Sequence, residues 1–157
     1  MKNVVDEFSK YVKDTTYIIG IDFIGMLLAS RIAVKNKLKF SYIISGNNIN
    51  GVGKFENKVI INSEEKIILC TDVLITGHTV NSCIEQLNKC YGITKNQVIN
   101  IFTVFLREPY ECDENRIVDS FQDKMIVLNK EFDVEICNKD NCIFREKDIF
   151  HCENRHI

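Results

Sequence analysis

The sequence has 157 residues, of which 45% are hydrophobic and 27% are charged, with a formal net charge of −2. This composition predicts one soluble globular domain with a sizeable core, and the charge gives no indication of a nucleic-acid or membrane partner. No apolar run is long enough to span a bilayer, and the first residues lack the apolar core of a signal peptide. The seven cysteines are therefore expected to be free thiols in the cytoplasm.

Apolar periodicity predicts the first elements of the chain. An amphipathic helix is predicted over about residues 3–13, a buried strand over 17–21, a loop over 22–25 and a helix over 26–37. Residues 39–45 alternate between polar and apolar side chains and predict the next strand. Strand, loop and helix in this order form the unit of a parallel sheet.

The next segment is rich in Gly and Asn. Residues 46–54 are predicted to be the flexible loop of a small hairpin, and residues 58–62 its returning strand.

Residues 67–80 predict a buried strand, a tight loop and the start of a helix. The helix is indicated by apolar residues spaced at i, i+3, i+4 and i+7, namely Val80, Cys83, Ile84 and Leu87. The first free N–H groups of a helix carry partial positive charge and can bind a phosphate. Gly77 permits a close approach of the backbone, and Thr76 and Thr79 add hydroxyl groups.

The rest of the chain predicts a loop over residues 92–96, a strongly apolar strand over 98–106, a short helix over about 113–122 and an edge strand over 124–128. Together the elements predict an α/β fold with a central, mainly parallel sheet flanked by helices.

Residues 67–79 resemble the signature of the type I phosphoribosyltransferases, and the chain looks most like the orotate type. In that signature, four apolar, two acidic and two apolar residues precede Thr-Thr-Gly-x-Thr or a near variant. The resemblance covers about residues 15–130 of what would be a single domain, 1–157, with an irregular tail over 132–157. It implies that the 5′-phosphate of phosphoribosyl pyrophosphate (PRPP) is bound by Thr76, Gly77, His78 and Thr79, and the ribose by Thr71 and Asp72.

The resemblance also implies a loop for pyrophosphate after the first strand, formed by Asp22, Phe23, Ile24 and Gly25. There Gly25 would let backbone N–H groups reach the pyrophosphate, and Asp22 could reach it through Mg²⁺ and water. The residues alone leave open a plain turn glycine and a helix N-cap aspartate.

Two basic residues complete the implied site. Lys54 would belong to the flexible loop that closes over the reacting centre, and Arg107 would pair with the carboxylate of an orotate-like acceptor. A solvated lysine and an exposed arginine paired with Glu108 or Asp113 remain open.

Four positions depart from the family pattern. Thr71 stands in place of the first acidic residue and Ile75 in place of a small or polar one. Ile44 and Ser45 stand where orotate-type enzymes carry basic residues that meet pyrophosphate. An ordinary strand–helix turn containing a glycine is the plain alternative to the whole motif.

The tail contains Cys137, Cys142, His151, Cys152 and His156 in the spacing C-x4-C…HC-x3-H. A zinc site needs about four such ligands, but this spacing is irregular. A tail of free thiols and solvated histidines is the alternative, and no metal site is predicted here.

The resulting hypothesis is a cytoplasmic, homodimeric phosphoribosyltransferase that binds PRPP with Mg²⁺. It would transfer phosphoribose to a nucleobase, an orotate-like pyrimidine, and release pyrophosphate. Asp72 would be the catalytic residue, because its charge near the anomeric carbon favours an oxocarbenium-like transition state. The alternatives are a catalytically degenerate PRPP- or nucleotide-binding sensor and a scaffold domain, so enzyme activity itself stays open.

Overall fold

The computed structural model describes residues 2–44, 54–55, 61–62, 64–106 and 117–129, and for residues 54 and 55 the backbone alone. In this part of the chain, strands and helices follow the order α1 (Lys2–Phe8), β1 (Tyr17–Ile21), α2 (Asp22–Asn36), β2 (Lys39–Ile44), β3 (Lys54–Phe55), β4 (Ile67–Leu74), α3 (His78–Tyr91), β5 (Val98–Leu106) and β6 (Met125–Asn129). One 3₁₀ helix, Ser9–Tyr11, follows α1, and a second, Val118–Lys124, precedes β6.

The strands form one sheet in the order β3-β2-β1-β4-β5-β6. Strands β2, β1, β4, β5 and β6 are parallel, and β3 pairs with β2 in the antiparallel direction. The predicted α/β fold with a mainly parallel sheet is therefore confirmed. Strands β1 and β4 are neighbours, although β2 and β3 lie between them in the chain, so the direction of winding reverses between β1 and β4.

The helices cover both faces of the sheet. One face packs residues of α1 and α2 against even-numbered strand residues such as Ile18, Ile68 and Phe102. The other face packs α3 and the second 3₁₀ helix against residues such as Ile19, Leu69 and Ile101. Strand β1 is buried along its whole length because it is covered on both sides, which explains its continuous apolar sequence.

Most predicted boundaries agree with the structure to within a few residues. The predicted inner face of α3 is confirmed, since its buried residues are Val80, Cys83, Ile84 and Leu87. The predicted strands at residues 98–106 and 124–128 correspond to β5 and to the edge strand β6. The first predicted helix ends sooner, at Phe8, and continues as the 3₁₀ helix to Tyr11.

The predicted loop assignments of residues 22–25 and of Lys54 are wrong. Helix α2 begins at Asp22 rather than at Met26, so residues 22–25 are its first turn and not a loop. The physical reason is that Asp22 adopts a left-handed φ of 60°, which turns the chain from strand into helix within one residue. The partner strand of β2 lies at Lys54–Phe55, whereas Ile61 and Asn62 are in no strand and residues 58–60 lie outside the described residues.

The short helix predicted over residues 113–122 begins later, at Val118, and has 3₁₀ geometry; residues 113–116 lie outside the described part. None of the helices among the described residues is long and apolar enough to cross a membrane.

Candidate functional site

Two helices begin at the same edge of the sheet, on neighbouring strands. Helix α2 starts directly after β1, and α3 starts three residues after β4. They lie on opposite faces of the sheet, and β1 and β4 are the strands between which the winding reverses. Open α/β sheets bind ligands in the crevice outside the carboxyl ends of such strands. The structure thus brings the predicted pyrophosphate residues 22–25 next to the predicted ribose and phosphate residues.

The bend at residues 75–77, called the phosphate bend below, leads from β4 into α3. Gly77 is the N-cap of α3 with a left-handed φ of 88°, and this N-cap makes no side-chain hydrogen bond to the helix. The first N–H to bond back into the helix is that of Asn81, which donates to the Gly77 carbonyl at 2.9 Å. The N–H groups of His78 and Thr79 precede it, and both residues are exposed, so these donors are placed to receive an anion.

The inner face of the phosphate bend is closed by residues 117 and 118. The Ile117 N–H donates to the Thr76 carbonyl at 2.8 Å. A Cβ added at Gly77 would lie 3.0 Å from the Val118 Cα and N and 3.3 Å from the Ile117 Cγ1. Gly77 is therefore required both by its φ and by this close approach.

The two predicted ribose residues differ in exposure. Asp72 is half-buried, and its Oδ1 accepts a hydrogen bond from the Val73 N–H at 2.7 Å. Thr71 is buried, with only 6% of its surface exposed. Asp72 is thus partly accessible to solvent, whereas Thr71 lies largely inside the sheet.

Thr103 on β5 holds the backbone beside Asp72. Its side chain is fully buried, and its hydroxyl lies within hydrogen-bond distance of two carbonyls, those of Asp72 at 3.2 Å and of Phe105 at 2.9 Å. The contact with the Asp72 carbonyl joins β5 to β4 beside the acidic residue, whereas the contact with Phe105 lies within β5.

The first turn of α2 packs tightly against β4. A Cβ added at Gly25 would lie 2.5 Å from the Cys70 carbonyl oxygen and 3.2 Å from the Thr71 Cα. The observed reason for a glycine at position 25 is thus helix–strand packing. Like α3, α2 has no side-chain hydrogen bond at its N-cap, which is Ile21. The first N–H groups of both helices are therefore not capped by these residues, and they lie at this edge of the sheet.

The carboxylates of the site act on two buried thiols. Burial, and then the nearby Asp22 carboxylate, raise the pKa of Cys83 to about 12. Burial, and then the Asp72 carboxylate, raise the pKa of Cys70 far above its ordinary value. Asp22 and Asp72 thus each lie close enough to a buried thiol to disfavour its thiolate form.

The side chains at this edge are acidic, polar or apolar. No lysine or arginine occurs in residues 22–25, at position 44 or in residues 72–79. Phe23, Ile24 and Ile44 are exposed apolar residues, as are Val73 and Ile75. Lys54 pairs with Ile44 in the β2–β3 register, so the backbone of a basic residue lies beside the strand end that lacks one.

Arg107, the predicted acceptor-binding residue, lies outside the described residues, as do Ser45 and the Cys- and His-containing tail from residue 132. Among the described residues, no group of three or more His, Cys, Asp or Glu side chains could hold a metal ion.

The sequence prediction missed Ile117 and Thr103. Thr103 was detectable as a polar residue inside the most apolar strand. Ile117 carries no local signal, because its importance comes from contact with a bend far away in the sequence.

Sequence comparison finds a distant relative of this chain among known proteins. No family model matches the chain. The chain is 25% identical to the adenine phosphoribosyltransferase of Mycoplasmopsis synoviae (strain 53) in an alignment of 130 residues that covers 74% of this chain and 77% of that protein.

Solved structures with a similar fold include enzymes for different bases. The adenine phosphoribosyltransferase of Saccharomyces cerevisiae has a TM-score of 0.60 at 14% identity, over 82% of this chain and 78% of that one. The orotate phosphoribosyltransferase of Aeropyrum pernix has a TM-score of 0.58 at 15% identity, over 81% and 69%. The adenine phosphoribosyltransferase of Trypanosoma brucei, in complex with AMP, pyrophosphate and ribose-5-phosphate, has a TM-score of 0.52 at 24% identity; the match spans 67% of this chain and only 51% of that one.

Proposed function

We propose that this chain, which has the fold of the type I phosphoribosyltransferases, binds PRPP and transfers its phosphoribose to a nucleobase with release of pyrophosphate. The predicted resemblance to that family is confirmed. The relatives act on adenine and on orotate, so the orotate-like subtype stays a prediction. The observation that carries the proposal is the crevice between β1 and β4, where two helices begin without a side-chain cap.

The 5′-phosphate of the ligand would bind at the phosphate bend. The N–H groups of His78 and Thr79 would donate to its oxygens, and the hydroxyls of Thr76 and Thr79 would add further donors. The positive end of the α3 dipole would favour the phosphate charge without any basic side chain.

The pyrophosphate would lie at the start of α2, on the other side of the crevice. The N–H groups of residues 22–24 begin that helix, and Lys54 would supply the positive charge that Ile44 and Ser45 do not. Phosphoribosyltransferases of this fold use PRPP with Mg²⁺. Asp22 and Asp72 are oxygen donors of the kind that Mg²⁺ prefers, and such an ion usually keeps phosphate and water ligands as well. When bound, Mg²⁺ would neutralise the pyrophosphate charge.

Asp72 would hold a ribose hydroxyl and stabilise the reacting carbon. In the reaction, the C1–O bond to pyrophosphate breaks and its electron pair leaves with pyrophosphate. A nitrogen of the base forms the new C1–N bond, and its proton passes to solvent. Because positive charge develops on the ribose ring in the transition state, the Asp72 carboxylate would stabilise that state more than the bound substrate.

Two bases are proposed as acceptors, adenine and orotate, and they differ in the role that Arg107 would have. For adenine, the base of the similar enzymes from Mycoplasmopsis synoviae and Trypanosoma brucei, no carboxylate needs a partner. For orotate, Arg107 would pair with the carboxylate. We further propose that residues 1–157 form one domain and that the protein works as a homodimer in the cytoplasm.

A second candidate function is a PRPP or nucleotide sensor without turnover. Two observations favour it: Thr71 is a buried, uncharged residue at the first acidic position, and Ile44 ends β2 without a charge. A protein with these features could bind the ligand through its helix N-termini and leave pyrophosphate too weakly stabilised to depart.

The test is a titration of the protein with PRPP and Mg²⁺ by calorimetry, followed by an assay of pyrophosphate release with adenine, orotate and other bases. Binding with release would support the enzyme, and the base that gives release would identify the acceptor. Binding without release for any base would support the sensor. If neither PRPP nor ribose 5-phosphate binds, the proposed function is wrong.

A further inference from the structure

The phosphate bend has little to hold it from within. Gly77 has no side chain, and the N-cap makes no side-chain hydrogen bond. Thr76 uses its carbonyl to accept the Ile117 N–H at 2.8 Å, a contact from outside the bend. The conformation that orients the His78 and Thr79 donors therefore depends on what lies against its inner face.

Ile117 lies against that inner face. Its N–H donates to the carbonyl of Thr76, and its Cγ1 stands beside Gly77, where an added Cβ would approach it to 3.3 Å. The next residue, Val118, is anchored because its side chain is fully buried in the core formed with α3. Ile117 itself is partly buried and packs against the same core.

We propose that Ile117 is a positioning residue for the 5′-phosphate, acting through the phosphate bend without touching the ligand. This inference rests on the proposed function. A side chain without Cγ1 would leave space behind Gly77, and the bend would then relax inward and rotate the N–H groups of His78 and Thr79 away from the phosphate. Donor geometry controls affinity strongly, since a misplacement of about 1 Å can cost a factor of about 100 in function.

The experiment compares three variants in the full chain. Ile117→Ala removes the contacting atom, whereas Ile117→Val keeps Cγ1 and loses only the terminal methyl group. Ile99→Ala is the matched control, because Ile99 is also a partly buried isoleucine but packs on the opposite face of the sheet. Each variant is titrated with ribose 5-phosphate, and its thermal midpoint is recorded.

We expect Ile117→Ala to weaken ribose 5-phosphate binding by about tenfold, and the other two variants to stay within about twofold of the unmodified protein. A second readout needs no ligand: the amide resonances of residues 77–79 should shift and their hydrogen exchange should accelerate in Ile117→Ala alone. A purely structural role would lower the thermal midpoint of Ile117→Ala and Ile99→Ala alike without this local change.

The outcomes separate the two proposals. If the unmodified protein binds ribose 5-phosphate and Ile117→Ala binds it equally well, the positioning role is wrong and the proposed function stands. An equal loss in Ile117→Val and Ile117→Ala would also overturn the positioning role. If the unmodified protein binds neither PRPP nor ribose 5-phosphate, the proposed function fails, and the amide readout alone then decides whether Ile117 holds the bend.

Discussion

The two glycines at the ends of α3 allow a quantitative test of why Gly77 is required. Gly77 and Gly92 both adopt a left-handed φ, 88° and 69° respectively. They differ in their surroundings: a Cβ at Gly92 meets no atom within 4 Å, whereas one at Gly77 would lie 3.0 Å from two backbone atoms of Val118. Gly92→Ala therefore measures the conformational cost alone, and Gly77→Ala measures that cost plus the steric one.

The expected magnitudes follow from these two contributions. A left-handed alanine costs about 1 kcal/mol, so this is the loss of stability expected for Gly92→Ala. Displacing a packed backbone by a few tenths of an ångström adds about 1–3 kcal/mol, which brings Gly77→Ala to about 2–4 kcal/mol. At about 2–4 °C per kcal/mol for a chain of this size, the thermal midpoint should fall by about 3 °C in Gly92→Ala and by about 6–12 °C in Gly77→Ala.

The assay combines thermal or urea unfolding with titration of ribose 5-phosphate. Gly77→Ala should also lose at least about tenfold in affinity, since the bend must move to admit the Cβ, while Gly92→Ala should bind normally. Equal stability losses in the two variants would refute the argument from close approach. Normal binding by a destabilised Gly77→Ala would show that the bend does not hold the phosphate.

Four further predictions concern individual side chains. Asp72→Asn should weaken PRPP binding and, if the protein is an enzyme, lower turnover by about 10–100-fold because the charge near C1 is lost; an unchanged rate would exclude its catalytic role. Thr103→Val should cost about 1 kcal/mol in urea unfolding through the loss of its buried hydrogen bonding, and a neutral result would contradict the observed contacts. Arg107→Ala should weaken binding of a carboxylate-bearing base by about 1.5–3 kcal/mol in calorimetry while PRPP affinity stays unchanged; loss of both would mean another role. At pH 8 an alkylating reagent should modify exposed Cys90 in the native protein but not Cys83. The reason is that burial raises the pKa of Cys83 to about 12, so its thiol is not ionised at this pH. Peptide mapping by mass spectrometry measures the labelling, and rapid labelling of Cys83 would contradict its burial.

The sequence by itself determined the local units of the fold. The step from β4 to α3 is predictable because apolar spacing and turn residues act over a few positions, and the sequence alone identifies Gly77 within it. The apolar runs of β1, β5 and β6, together with the helical spacing between them, predict the α/β class for the same reason. Local patterns failed at Asp22, where a single left-handed residue replaces a loop and lets α2 begin at once.

The tertiary structure alone decided which local units meet. Nothing in the spacing of apolar residues specifies that β1 neighbours β4, yet this pairing places the start of α2 beside Asp72 and the phosphate bend. It also decided that Thr71 is buried and that Ile117 lies behind Gly77. Strand order and such distant contacts depend on how the whole chain packs its apolar surface together. The local spacing of apolar residues carries no information about that packing.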